Sequence, residues 1–306
     1  MPVLLVVLGA IGLWLVPLNQ WVAVLDASDL SWLIWAAVAV FVVQSTEAAR
    51  LMCLSTIPVG AWRSVMKLTF AAGAISLLPS GWIGGDAYRG HGAARMGIGW
   101  SGAISAVLLS RVIGLAATLG TTGIALLLLA PATNGAGLTF GSEGARWVLV
   151  AGGGLAVGAG LVFAVLRNTA MAGNLRQFLR DTALTIRATP LHRLAMAVVL
   201  GLGTAIARSV LLWVSAKSVG ATLGLDVAVL VGGLALIVTI LPLVGTTVGV
   251  REAVVAGLLV GFGLDAPTAI SISVLARLMT AGTCVAVWAA ASVAARVWPP
   301  QIAEET

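Results

Sequence analysis

Apolar residues run along this chain in long blocks rather than alternating, and the block lengths set the expected elements. Stretches near 3–25, 30–57, 98–130, 146–166, 193–217 and 268–297 each approach or exceed the roughly 20 residues that a helix needs to cross a bilayer. Two further blocks, 66–79 and 227–241, are shorter. Each ends beside a proline and a glycine-bearing stretch: Pro79 with Gly84 and Gly85, and Pro242 with Gly245 and Gly249. Proline fixes one dihedral and glycine frees both, so these six residues are expected to form the hairpin turns. The pattern predicts an all-α polytopic membrane protein with about six full spans plus two re-entrant helical hairpins. It forms a single integral membrane domain over residues 1–306.

Charge placement chooses between dipping and crossing for the short blocks. If they dip and return, the segments 58–67, 82–96 and 167–193 share one side with the C-terminus. That side then collects Arg63, Lys67, Arg89, Arg95, Arg167, Arg176, Arg180, Arg187, Arg193 and Arg296, against Arg146 and Lys217 on the other. Basic residues concentrate on the cytoplasmic side of membrane proteins, so both termini are expected there. If the blocks cross fully, the basic clusters fall on opposite sides and the bias weakens. Three spans then separate the two hairpins. Three is odd, so the repeat copies, approximately 58–130 and 218–297, are expected to be inverted, as in many transporters with broken helices. The segment of approximately 167–193 is the expected cytoplasmic loop, resting on anionic lipid. The run 3–25 lacks a basic start and a small-residue cleavage site, so it reads as a retained first helix.

The polar positions inside the apolar blocks also repeat. Leu78-Pro79, Asp86 and Arg111 recur as Leu241-Pro242, Glu252 and Arg277, with 25 residues from acid to arginine in both copies. Ala103-Ile104-Ser105 and Leu109 fall on Ala269-Ile270-Ser271 and Leu275 in the same register. A charge at membrane depth costs about 2.5 kcal/mol or more, so such residues are paired, turned inward and often functional. Eight stand out: Glu47, Arg50, Asp86, Arg111, Arg208, Arg251, Glu252 and Arg277. Arginine outnumbers acid, and surplus guanidinium suits a phosphate, whose oxygens match its fork. Helix N-termini at the hairpin breaks add partial positive charge.

Arg111, Arg277, Arg208, Arg251 and Arg89 are therefore the candidate substrate-binding residues. Asp86, Glu252, Glu47 and Arg50 are the candidates for coupling or gating. Asp86 is expected to pair with Arg111 and Glu252 with Arg277, and a substrate phosphate can exchange for either bridge. An acid so released in a dry site can take a proton. Glu47 and Arg50 stand three residues apart on one helix, where they are expected to neutralise each other. Arg208 has no acid within a helical turn. Tyr88 and Arg89 follow Asp86 whereas Arg251 precedes Glu252, an asymmetry that would let one hairpin recognise a headgroup and the other gate.

Composition narrows the class. The chain of 306 residues is 60% hydrophobic and 9% charged, with a mean hydropathy of +1.08, far outside the soluble range. A formal charge of +6 fits loops beside anionic headgroups, with no nucleic-acid partner expected. Cys53 and Cys284 lie in apolar stretches without metal-ligand spacing, so no metal, disulfide or cofactor is expected. No phosphate-binding loop of the Gly-Lys-Ser/Thr type is present, nor a His, Cys or carboxylate cluster suited to hydrolysis. No catalytic residue is assigned, and the expected class is a transporter rather than an enzyme. His91 and His192 read as solvated loop residues, and the tryptophans as an interfacial belt.

The motif Leu78-Pro79-Ser80-Gly81-Trp82-Ile83-Gly84-Gly85-Asp86-Ala87-Tyr88-Arg89, with Arg111 downstream, resembles the transmembrane region of lysylphosphatidylglycerol synthases and their stand-alone, flippase-like relatives. So does Leu241-Pro242 followed by Gly249-Val250-Arg251-Glu252-Ala253 and Arg277, although this second site has fewer glycines than the family pattern. In the synthases a soluble aminoacyl-transfer domain follows, whereas this sequence stops at Thr306. The resemblance thus implies lipid translocation without aminoacylation. The expected substrate is an anionic lipid of the cytoplasmic (inner) membrane: a polyprenyl-phosphate, its sugar-linked form, or a phospholipid. A glycosyltransferase or another cell-envelope biosynthesis protein is the implied partner. The alternatives are a membrane-embedded enzyme or subunit acting on lipid-linked sugars, and a small-solute transporter. A lipid carrier needs a groove opening sideways into the bilayer; a solute carrier needs a closed central cavity.

Overall fold

The computed structural model of the protein describes residues 29, 31–76, 81–133, 189–239 and 250–297. These form α1 (Ser31–Leu54), α2 (Trp62–Ile75), α3 (Gly81–Ala93), α4 (Gly99–Thr133), α5 (Leu191–Ser218), α6 (Leu225–Thr239), α7 (Val250–Gly261) and α8 (Ala266–Val297). Among the described residues there is no strand. The expected spans 3–25 and 146–166 and the turn residues Pro79, Pro242, Gly245 and Gly249 lie outside the described residues, as does most of the loop 167–193.

Among the described residues four segments are long and apolar enough to cross a membrane: Ser31–Leu54, Gly84–Leu126, Leu191–Ser218 and Ala266–Ala294. The second is broken inside. Asp86 and Arg111 would stand about 37 Å apart on a straight helix, yet their side chains bond at 2.7 Å. The chain folds back through a π-helical turn, Ala94–Ile98, where Gly97 and Gly99 take φ values of 97° and 70°. Gly263, at φ 93°, makes the corresponding break between α7 and α8. Gly97 and Gly263 each stand 11 residues after the acid of their copy. A side chain at such φ is strained, so glycine is required at both breaks.

Element lengths repeat with the motif. A long helix of 24 residues, two short ones of 14 and 13, and a long one of 35 are followed by 28, 15, 12 and 32. The short helices measure about 18–23 Å at 1.5 Å per residue, less than a hydrocarbon core of about 30 Å. α1 and α5 run antiparallel: the Asp29 N–H donates to the Ser218 carbonyl at 2.8 Å, and the Thr46 and Thr204 hydroxyls bond at 2.9 Å. Each copy's last helix packs on the other copy's first short helix, α4 on α6 and α8 on α2. Small residues permit this close packing, with Ala36, Ala39 and Ala48 of α1 and Ala103 and Ala106 of α4 all buried. Helices in lipid gain little from hydrophobic burial and depend on such contact.

Three expectations change. Residues 82–96, read as a basic surface segment, are helical and return antiparallel along α2. Gly84 and Gly85, read as turn residues, lie inside α3. A Cβ on Gly85 would stand 2.8 Å from the Ala72 carbonyl oxygen, so this glycine serves helix–helix approach. α5 also begins at Leu191, directly after Pro190, which places His192 and Arg193 in its first turn rather than in the loop.

Candidate functional site

The broken helices bring the buried charges together. In both copies the short helix that carries the acid presents it to the helix that follows the glycine break. Arg111 of α4 donates from Nε and Nη2 to the two Asp86 oxygens, each at 2.7 Å, a two-point fork. Nη1 of Arg277 donates to Glu252 Oε1 at 2.6 Å. The pairing expected from the 25-residue interval is thus present in both copies.

Glu47 departs from expectation. Its carboxylate does not take Arg50 of its own helix. It accepts from Arg89 Nη2 at 2.5 Å and from Arg208 Nη2, joining α1 to α3 and α5 with 4% side-chain exposure. Arg89 also approaches Asp86 at 3.6 Å, so it sits within the cluster rather than at the membrane surface. Arg208, without a local acid, finds its acid across the helix interface.

Arg50 donates from Nε to Ser110 Oγ at 2.8 Å, and its buried Nη1 has no hydrogen-bond partner among the described residues. The guanidinium fits against α4 because residue 114 is glycine; a Cβ there would stand 3.1 Å from Nη1. A local spacing of three allows an ion pair but does not compel one. With Arg89 and Arg208 available, two guanidinium groups saturate Glu47.

Arg251, like Arg50, forms no salt bridge among the described residues. It lies in the first turn of α7, is exposed, and has no carboxylate within 4 Å among the described residues. It nevertheless stands within electrostatic reach of Glu252, Arg208 and Arg277. Arg208 and Arg111 keep side-chain exposures of 33% and 34%. Of these three, Arg111 lines a cleft. Arg111 and Arg50 also act on Glu47 electrostatically, so the charges of both copies form one continuous field. Six arginines (50, 89, 111, 208, 251 and 277) here face three carboxylates.

A narrow cleft lined by Glu47, Asp86, Arg89, Ser110 and Arg111, with Leu51 and Val107, opens onto the first ion pair. Its walls are held by its own salt bridges. The sequence reading missed Ser110, which carries no charge, and the pair Gly97 and Gly263. The glycines were detectable, because they keep the register of the acids.

The family model for the lysylphosphatidylglycerol synthase transmembrane region matches residues 3–287. The chain belongs to that family. It is therefore an integral membrane protein of a family tied by name to lipid metabolism. Comparison with curated proteins gives no match.

Proposed function

We propose that the protein is a lipid flippase or scramblase that carries an anionic lipid headgroup across the cytoplasmic membrane. The observation that carries this reading is the surplus of guanidinium in the charge cluster, above all the exposed Arg251, which forms no salt bridge within 4 Å among the described residues. A permanent cation at membrane depth is costly unless an anion completes it. A phosphate between Arg251, Arg208 and Arg277 supplies that charge and can draw Arg208 away from Glu47. Arg111 and Arg89 then repeat the exchange at Asp86, and the released carboxylates are gating groups or proton acceptors. The two hairpins act as re-entrant elements of an inverted repeat with cytoplasmic termini. The opposite directions of α1 and α5 and the crosswise packing of α4 on α6 and α8 on α2 support this reading.

The test is transfer of labelled phosphatidylglycerol between the leaflets of proteoliposomes. Arg251→Gln is expected to leave the fold intact, since no ion pair is lost, and to slow transfer at least tenfold. Glu252→Gln and Arg277→Ala are expected to abolish it. Undiminished transfer in all three variants would overturn the proposal. Activity seen only with a co-purifying glycosyltransferase would favour the enzyme-subunit alternative.

A further inference from the structure

Arg50 is 3% exposed and forms no salt bridge among the described residues. It donates from Nε to Ser110 Oγ, its Nη1 is without a partner among the described residues, and Arg89, Arg111 and Arg208 all repel it. A permanent cation so placed adds little to the fold, and apolar packing could fill the same space. Residues that break the rules of a core in this way mark functional sites.

Ser110 gives Arg50 a task. It is 9% exposed and lines the narrow cleft beside the Asp86–Arg111 pair, which Arg50 itself does not line. Other helical hydroxyls turn back on their own helix: those of Thr118, Thr122, Ser209 and Ser215 donate to the carbonyl four residues earlier. Ser110 makes no such bond among the described residues, and its oxygen accepts from Arg50 instead. A hydroxyl has one hydrogen to donate, and that of Ser110 is left for the cleft. Because each hydrogen bond polarises the next, an oxygen that accepts from a cation donates more strongly through its own hydrogen.

The cleft, about 10 Å3, has room for one oxygen atom of water size. Arg89, which also lines it, has a buried Nε without a partner among the described residues. Water would satisfy the hydroxyl and leave the surplus positive charge; a phosphate oxygen answers both. This arrangement belongs to the first copy. In the register of the repeat Ser110 and Gly114 fall on Ala276 and Thr280, so the second copy lacks both the hydroxyl and the glycine against which the Arg50 guanidinium lies.

Resting on the function proposed above, we infer that Ser110 is a substrate-contacting residue of the first copy, donating to one oxygen of the phosphate, and that Arg50 is its positioning residue.

The experiment measures binding of phosphatidylglycerol and of inorganic phosphate to the full chain in detergent micelles. Ser110→Ala is expected to weaken phosphatidylglycerol binding about tenfold, the size of one hydrogen bond to a charged group, and Ser110→Thr, which keeps the hydroxyl, to restore most of it. Arg50→Met should approach the loss of Ser110→Ala. The double variant should lose no more than Ser110→Ala alone, because Arg50 acts through the hydroxyl; with both partners gone it also leaves no donor of this contact buried and unpaired, which keeps its fold the least burdened. A parallel loss for inorganic phosphate assigns the contact to the phosphate group, a loss for phosphatidylglycerol alone to the lipid headgroup, and either supports the inference. Unchanged phosphatidylglycerol binding in Ser110→Ala would overturn it. Additive losses in the double variant would overturn it too, since Arg50 would then act on the anion directly. Failure of the broader proposal reads differently: the Ser110 variants would lose binding while Arg251→Gln, Glu252→Gln and Arg277→Ala leave lipid transfer undiminished.

Discussion

In the first copy Asp86 is gripped at two points by Arg111 and approached by Arg89, which also holds Glu47 together with Arg208. In the second copy Arg277 bonds Glu252, and Arg251 beside it stands accessible with no carboxylate within 4 Å among the described residues. The same acid–arginine spacing thus yields a cross-linked clasp in one half and a site with spare positive charge in the other. Duplication fixed the spacing. Divergence at the neighbouring positions set the roles, because Gly85 of the first copy corresponds to Arg251 of the second, and Val255 of the second to Arg89 of the first.

The strongest way to break that contrast is Glu47→Leu. It strips the buried carboxylate from two arginines, and loss of one partner from a buried pair costs about 3–5 kcal/mol. Thermal unfolding in detergent should show that loss. If stability is unchanged, Glu47 does not hold the first copy closed.

Next in size are Gly97→Ala and Gly263→Ala. Neither new methyl meets an atom within 4 Å, so the cost is that of a left-handed residue alone, about 1–2 kcal/mol. Equal losses in denaturant titrations would confirm that the two breaks are equivalent. A loss at one position only would show that the copies fold back by different means.

Arg50→Met should change stability by no more than about 1 kcal/mol in either direction, since the arginine carries a buried nitrogen without a partner and apolar replacement of buried charge is often tolerated. A loss well beyond 2 kcal/mol would assign Arg50 to the clasp.

The smallest effect belongs to Asp29, outside the spans. Its Oδ1 accepts from the Ser31 N–H at 2.9 Å, and the hydrogen bonds from Ser31 hold its carboxyl below the usual value of 3.8. A lowered value in the fold means the stabilisation is complete above the ordinary carboxylate range and fades as pH falls through the lowered one. Protection of the Ser31 amide, its exchange rate corrected for the intrinsic pH dependence, should therefore fall only in acid, and Asp29→Ala should remove that change in protection.

Much of the described fold was legible in the sequence. The blocks 30–57, 98–130, 193–217 and 268–297 match α1, α4, α5 and α8 to within a few residues, because a spanning helix must be apolar over its whole length. The helical nature of 82–96 was not legible, since glycine and arginine there suggest a surface turn and only packing against α2 stabilises the helix. The two acid–arginine pairs were legible because repetition exposes spacing. The bonds from Arg89 and Arg208 to Glu47 were not, for they join residues 42 and 161 positions apart.

The sequence by itself determined that this is a helical membrane protein, where its long helices lie, and that two acid–arginine units recur at one interval. Tertiary structure alone decided which carboxylate the remaining arginines meet and that Arg50 and Arg251 form no salt bridge among the described residues. Helical periodicity reports only neighbours three or four residues away on the same helix. Partners across an interface depend on how the helices rotate and cross, which the packing of every side chain between them sets together.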